Sequence, residues 1–343
     1  MIQRRSLLAV ALAGSVARPA VAQDKLSVIE GARREGRVAF ANSISVAGFP
    51  RFLQAFTAKY PFIDATAGNY SAPTGRVLAR VEGEMKARAL TFDVLHVASL
   101  APYLALSRQG LLADYASPEL AAYPPEAHDR GQWTTARIVG VIMAYNRNTL
   151  PASLVPRTWT DLLRPEFKNR KLVIQDAAAG TCFNQIYLLG KALGPEFLRR
   201  FAEQRPIVVA TTPQLIDLLV RNEAMIGATV DHYRAFEPDA VQAGIVGVYP
   251  TEGMPLATAP IAILRDAPHP NAARLFVDYV LSAEGQALLN TDIFRVYSTR
   301  RDVAPATGQL RLEQTKPLLP TDLGEYERAA ARFPETFEDL FRT

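Results

Sequence analysis

Cysteine occurs once in the 343 residues, at Cys182, so no intrachain disulfide can form even in an oxidising compartment. Beyond residue 22 no apolar run is long enough to span a bilayer. An excess of one charge is also missing. The chain has 38 Lys and Arg against 34 Asp and Glu, but Arg4, Arg5 and Arg18 fall in the first 22 residues with no acid beside them, leaving 35 against 34. That balance, with no basic stripe interleaved with aromatics, excludes nucleic acid as a partner. Enzyme signatures are absent as well: there is no G-x-S-x-G elbow, no P-loop, no G-x-G-x-x-G after a strand and no H-E-x-x-H. Paired acids such as Glu82 and Glu84 fall on a helix and face different directions. An exported hydrolase therefore stays an alternative supported only by reactive residue types.

What is present begins with "MIQRRSLLAVALAGSVARPAVAQD". A basic start, an apolar stretch from Leu7 to Val16 and small residues at Ala20-Val21-Ala22 predict an export signal over residues 1–22, cleaved after Ala22. "RRSLL" resembles a twin-arginine signal, and an ordinary Sec signal with two arginines fits nearly as well. No cysteine lies at the cleavage site, so a lipid-anchored form is not indicated. The expected location is the periplasm.

Helical and strand periods then alternate. "GRVAFANS" (36–43), "FIDATAGNY" (62–70) and "FDVLHVAS" (92–99) read as strands. Between them, Phe49, Phe52, Leu53, Phe56 and Tyr60 share one helical face, and Val77, Leu78, Val81 and Met85 share another. After the long β-branched run "WTTARIVGVIMAYN" (133–146) the alternation restarts and ends in the helix "NAARLFVDYVLSAEGQALLN". A chain this long exceeds one growing core. The pattern predicts an α/β protein of two lobes, each a mostly parallel sheet flanked by helices. The expected division is 23–137 plus 259–343 for lobe 1 and 138–258 for lobe 2, with the ligand between them.

In open sheets of this kind, ligands sit outside the carboxyl ends of strands. The loops there carry Ser43, Ser45, Tyr70, Ser71, Ser99, Thr211 and Thr212, a set of neutral hydrogen-bond donors. One further stretch, "DAAAGTCFNQ" (176–185), places three alanines and a glycine where a strand hands over to a helix. A helix starting near Thr181 leaves the backbone N–H groups around Ala179, Gly180 and Thr181 without intrahelical partners, which suits an anion. Plain close packing of small residues is the competing explanation. Thr212 before Pro213 reads as the cap of the next helix, which leaves Thr211 the freer hydroxyl.

Three stretches carry a family resemblance. "YNRNTLPASLVPRTWTDLLRPEFKNRKLVI" (145–174), "APHPNAARLFVDYVLSAEGQALL" (267–289) and "GRVLARVEGEMKARALTFDVL" (75–95) resemble periplasmic solute-binding proteins of ABC importers, in the ferric-iron-binding-protein-like group. The resemblance implies a type II, venus-flytrap fold that closes on a solute and delivers it to an inner-membrane permease. It implies a monomer, no enzyme activity and no cofactor. A role in signalling to a membrane sensor is not separable from transport at this level.

For the ligand, the resemblance leaves ferric iron, organic phosphates or phosphonates, sulfate, thiamine and polyamines open. Relatives that bind iron are expected to use two adjacent tyrosines where this chain has Asp231, His232 and Tyr233, so one phenol is missing. The matching lobe 1 positions, Ser45 and Ala98 or Ser99, coordinate iron poorly. Iron would fall to His232 and Tyr233. A small organic anion bearing phosphate, phosphonate or carboxylate is the first expectation, with Glu252 a weak candidate for an amino group on it.

Overall fold

The computed structural model describes residues 20–44, 46–129, 131–307 and 309–342, with side chains described from Lys25. Ser45 and all of the expected export signal except Ala20–Ala22 lie outside them. Helix α1 (Ala20–Glu35) leads into β1 (Phe40–Asn42), α2 (Phe49–Lys59), β2 (Asn69–Ser71), α3 (Thr74–Lys86), β3 (Val94–His96) and α4 (Ala101–Arg108). A two-residue strand β4 (His128–Asp129) precedes the long β5 (Trp133–Asn146). Then follow β6 (Leu172–Gln175), α5 (Gly180–Leu193), α6 (Pro195–Ala202), β7 (Ile207–Val209), α7 (Thr212–Val220), β8 (Ile226–Asp231), α8 (Pro238–Gln242) and β9 (Ile245–Val248). The chain returns through β10 (Met254–Ile263), α9 (Pro270–Leu281), α10 (Ala283–Gln286), β11 (Pro317–Leu318) and α11 (Leu323–Phe341).

The strand order is β2-β1-β3-β10-β5-β8-β6-β7. β1 runs parallel to β2 and β3, and β6 runs parallel to β7 and β8. These two parallel groups are joined by β5 and β10, which pair antiparallel from Leu256↔Gly140 to Ile261↔Thr134. The result is the mixed α/β, two-lobed plan expected from the alternation, with two long strands shared between the halves.

The apolar periodicity of α2 explains its seat. Phe49, Phe52, Leu53 and Phe56 are buried, and the Phe56 ring lies 5.0 Å from that of Phe276 on α9. Each such side chain stabilises the fold by roughly 1.5–3 kcal/mol through burial. The helix expected through residue 290 is interrupted. Ser282 turns extended (φ −67°, ψ 158°) and its Oγ caps α10 by accepting from the Gly285 amide. A Cβ on Gly285 would sit 1.9 Å from the Tyr279 carbonyl oxygen, so only glycine permits that reversal. The strand expected over 62–70 is confined to Asn69–Ser71, with one bridge from Arg37 to Asp64 ahead of it.

Candidate functional site

A cavity of about 200 Å³ lies where the two parallel groups face each other. Its walls include the first residues of three helices: Thr74 of α3, Gly180 and Thr181 of α5, and Thr212 of α7. Each helix presents the positive end of its dipole there. The amides of Gly180 and Thr181 have no acceptor among the described residues, as expected for a first turn.

The small side chains of 176–185 serve two ends. Asp176 accepts from the Ala178 amide at 2.9 Å and shapes the turn. Across the cavity, the Gly75 amide donates to the Ala178 carbonyl at 3.0 Å, and a Cβ on Gly180 would lie 2.3 Å from the Ala98 carbonyl oxygen. The room at Gly180 is therefore taken up by the opposite half of the molecule as well as by the cavity.

A buried network holds the α5 and α7 starts together. Gln175 Nε2 donates to Thr212 Oγ1 at 2.7 Å, and Thr212 Oγ1 donates to Asp231 Oδ2 at 3.0 Å. Thr181 Oγ1 donates to Gln175 Oε1 at 3.5 Å. The threonine roles differ from the sequence reading. Thr211 is the cap, accepting from the Gln214 amide at 3.4 Å, while Thr212 is the first helical residue. A β-region backbone at Thr211 (φ −144°, ψ 153°) fits the cap position.

Ser43, Ser71, Ala179, Gly180, Thr181, Thr211, Thr212, Asp231 and Tyr233 all line the cavity. Tyr70 does not. It neighbours Ser71 on a strand, where successive side chains face opposite ways, and its ring packs 5.8 Å from Phe92 beneath Arg80. Ser99 is buried behind the wall, within reach of the Tyr326 phenol of α11. His232 also faces away. Its Nδ1 is 3.0 Å from the Gly140 amide, its ring stacks on Tyr297 at 4.9 Å, and burial pulls its pKa down to about 4. His232 and Tyr233 thus diverge and do not converge on one ion. Burial, then the nearby Asp231 charge, pushes the Tyr233 phenol up to about 12, so it remains a donor. Glu252 is engaged elsewhere, accepting from the Thr160 amide at 3.3 Å. Among the described residues no three His, Cys, Asp or Glu side chains gather as a metal set.

Two guanidiniums in the wall were not singled out in the sequence reading. Arg234 is matched by Glu237, whose two oxygens lie 2.9 Å from its Nη1. Arg137 is different. It is 1 % exposed and has no carboxylate within ion-pair distance among the described residues. Its Nε donates to His96 Nε2 at 2.9 Å, its Nη2 is 3.4 Å from both Ser43 oxygens, and Nη1 has no hydrogen-bond partner among the described residues. Burial pulls its pKa below the usual guanidinium value. A buried charge without a partner costs several kcal/mol. One signal could have found it: Arg137 is the lone charge in the fourteen residues of β5.

The local fold aims this side chain. Arg137 pairs with Ala259 and Thr135 with Pro260, so Ala136 is an extra residue in β5. Such a bulge re-aims neighbouring side chains. It also accommodates Pro260, which has no N–H to give to an interior ladder. Asn290 Nδ2 donates to the carbonyl of Ala136 at 3.2 Å.

Comparison with known proteins agrees with this architecture. The family model described as "Bacterial extracellular solute-binding protein" matches residues 103–321. A Haemophilus influenzae protein described as uncharacterized is 28% identical over 279 residues, covering 77% of this chain and 78% of its own. The periplasmic binding protein AfuA of Actinobacillus pleuropneumoniae, solved with exogenous fructose-6-phosphate bound, aligns with a TM-score of 0.77 at 22% identity. The alignment covers 90% of this chain and 99% of AfuA. Iron-bound HitA from Pseudomonas aeruginosa aligns at 0.73 and 20% identity, over 86% of this chain and 97% of HitA. At these identities the two structures speak to the fold alone.

Proposed function

Because the chain belongs to the bacterial extracellular solute-binding protein family, we propose that it captures a small organic anion in the periplasm and hands it to the permease of an ABC importer. The observation that carries the anion is Arg137, a buried guanidinium at the cavity wall with no carboxylate partner among the described residues. Three helix N-termini and the Gly180 and Thr181 amides add donors around the same space, which suits a phosphate, phosphonate or carboxylate. The fructose-6-phosphate bound to AfuA makes a phosphate monoester the first ligand to try.

The same reading divides the chain into lobe 1 (23–137 plus 259–343) and lobe 2 (138–258). Strand pairing supports that division, with β5 and β10 as the crossing strands that absorb closure. One amendment is needed. α11 packs on α4 of lobe 1 and also on α5 and α6 of lobe 2, so it bridges the two.

Ferric iron is the second reading, kept because HitA was solved with iron bound. Two guanidiniums and a single phenol in the wall favour it less than an anion. A hydrolase finds no support in the cavity wall, where no histidine accompanies Asp231 and the hydroxyls.

Isothermal titration calorimetry of the mature protein with fructose 6-phosphate, inorganic phosphate and ferric citrate separates these. Saturable binding of a phosphate species is expected. Ferric uptake alone would contradict the reading.

A further inference from the structure

We propose that His96 is a positioning residue for anion capture, a neutral buried acceptor that aims the Arg137 guanidinium at the cavity without cancelling its charge. This rests on the anion reading above.

The tautomer follows from two contacts. His96 Nδ1 lies 2.8 Å from the Pro260 carbonyl oxygen, which can only accept, so Nδ1 carries the proton. Nε2 is then a lone pair and accepts from Arg137 Nε at 2.9 Å. Both residues are essentially inaccessible, at 0 % and 1 % exposure. Phe40 stacks on the imidazole at 6.1 Å and 15° between planes, which fixes its tilt. The Pro260 carbonyl is presented by the register shift between Ala259 and Pro260, so the bulge that aims Arg137 also orients its acceptor.

Other side chains at position 96 would act differently. An aspartate would pair with the guanidinium and supply inside the protein the counter-charge that a ligand is proposed to bring. An apolar residue would leave Nε unbonded and the guanidinium free to turn. A neutral histidine does neither. Burial first, and the Arg137 charge second, hold His96 in the uncharged form. The other titratable groups that face Arg137 are Tyr233, Asp231 and Tyr103, of which the two phenols stay neutral. None of them forms an ion pair with it.

The test is calorimetric titration at pH 7.5 with fructose 6-phosphate and inorganic phosphate as probes, using wild type, H96Q, H96D, H96F and R137M. Melting temperatures without ligand are taken in parallel. H96D is expected to weaken binding by about 100-fold or more while its ligand-free melting temperature holds or rises, because the buried charge gains a partner. H96F is expected to lose about 10-fold, with H96Q recovering most of that loss through its amide oxygen. Should H96D not fold, the H96F and H96Q pair decides. H96D binding as tightly as wild type, or H96Q falling as far as H96F, would overturn the role of His96. Wild type binding neither probe, or R137M binding as wild type does, would instead overturn the anion reading beneath it.

Discussion

Arg137 shows how one residue can be prominent in a structure and quiet in a sequence. In "WTTARIVGVIMAYN" the surrounding period is that of a strand, and a single arginine there marks a lone charge without saying what it faces. Only the bulge at Ala136, a tertiary feature, turns it inward toward the cavity. Replacing Arg137 with methionine keeps the stem and removes the charge. The expected outcome is a loss of about 10- to 100-fold in affinity for a phosphate ester, the worth of a hydrogen bond to a charged group, with melting temperature unchanged or higher. Calorimetry and thermal unfolding read the two sides separately. The buried histidines set a second expectation. His232 has a folded pKa near 4 against an ordinary value of 6.5, and His96 is also held well below 6.5. The unfolded chain therefore binds more protons below about pH 6.5, and stability falls as the pH drops from there toward 4. Urea midpoints at pH 7.5 and pH 5 should differ, and the difference should shrink in H232N. An equal difference in H232N would remove His232 as a cause.

Among elements, the turn from β6 into α5 was the most legible. Small residues before a helix start were readable as a place of close approach, and the start at Gly180 falls within one residue of the expected position. What could not be read was the partner, since the Ala98 carbonyl arrives from a strand-end loop some eighty residues earlier in the chain. Gly180→Val would place a Cβ 2.3 Å from that oxygen. The variant is expected to fold, to resist closure and to lose ligand affinity, with a larger radius of gyration by small-angle scattering. Wild-type affinity and radius would show that the contact is dispensable. Helix α11 was missed altogether, because its opening "LGEYERAAARF" follows a proline-rich stretch and carries few large apolar residues. It anchors through Tyr326, whose phenol donates to Asn184 Oδ1 of α5 at 2.9 Å, and through Phe333 against Phe183 at 5.2 Å. Tyr326→Phe is expected to cost about 1 kcal/mol, the net worth of one buried hydrogen bond, measured by denaturant unfolding.

At the scale of the whole molecule, the alternation of strand and helix was enough for the two-lobed α/β plan, because each period is a local property of ten or fifteen residues. The cavity is not local. Its lining is drawn from six separate strand-end segments and from β5, and the loops were found only because parallel strands put their carboxyl ends on one side. Residue choice within those loops went astray where neighbours in sequence face opposite ways, as with Tyr70 beside Ser71 and His232 beside Tyr233. The central claim is that this space holds an organic anion through Arg137. Native mass spectrometry of the protein taken from its own cells without refolding, wild type beside R137M, tests it most directly. A phosphate-, phosphonate- or carboxylate-bearing adduct on the wild type and none on the variant is the outcome the account requires. A ferric adduct, or an anion retained by both proteins, would contradict it.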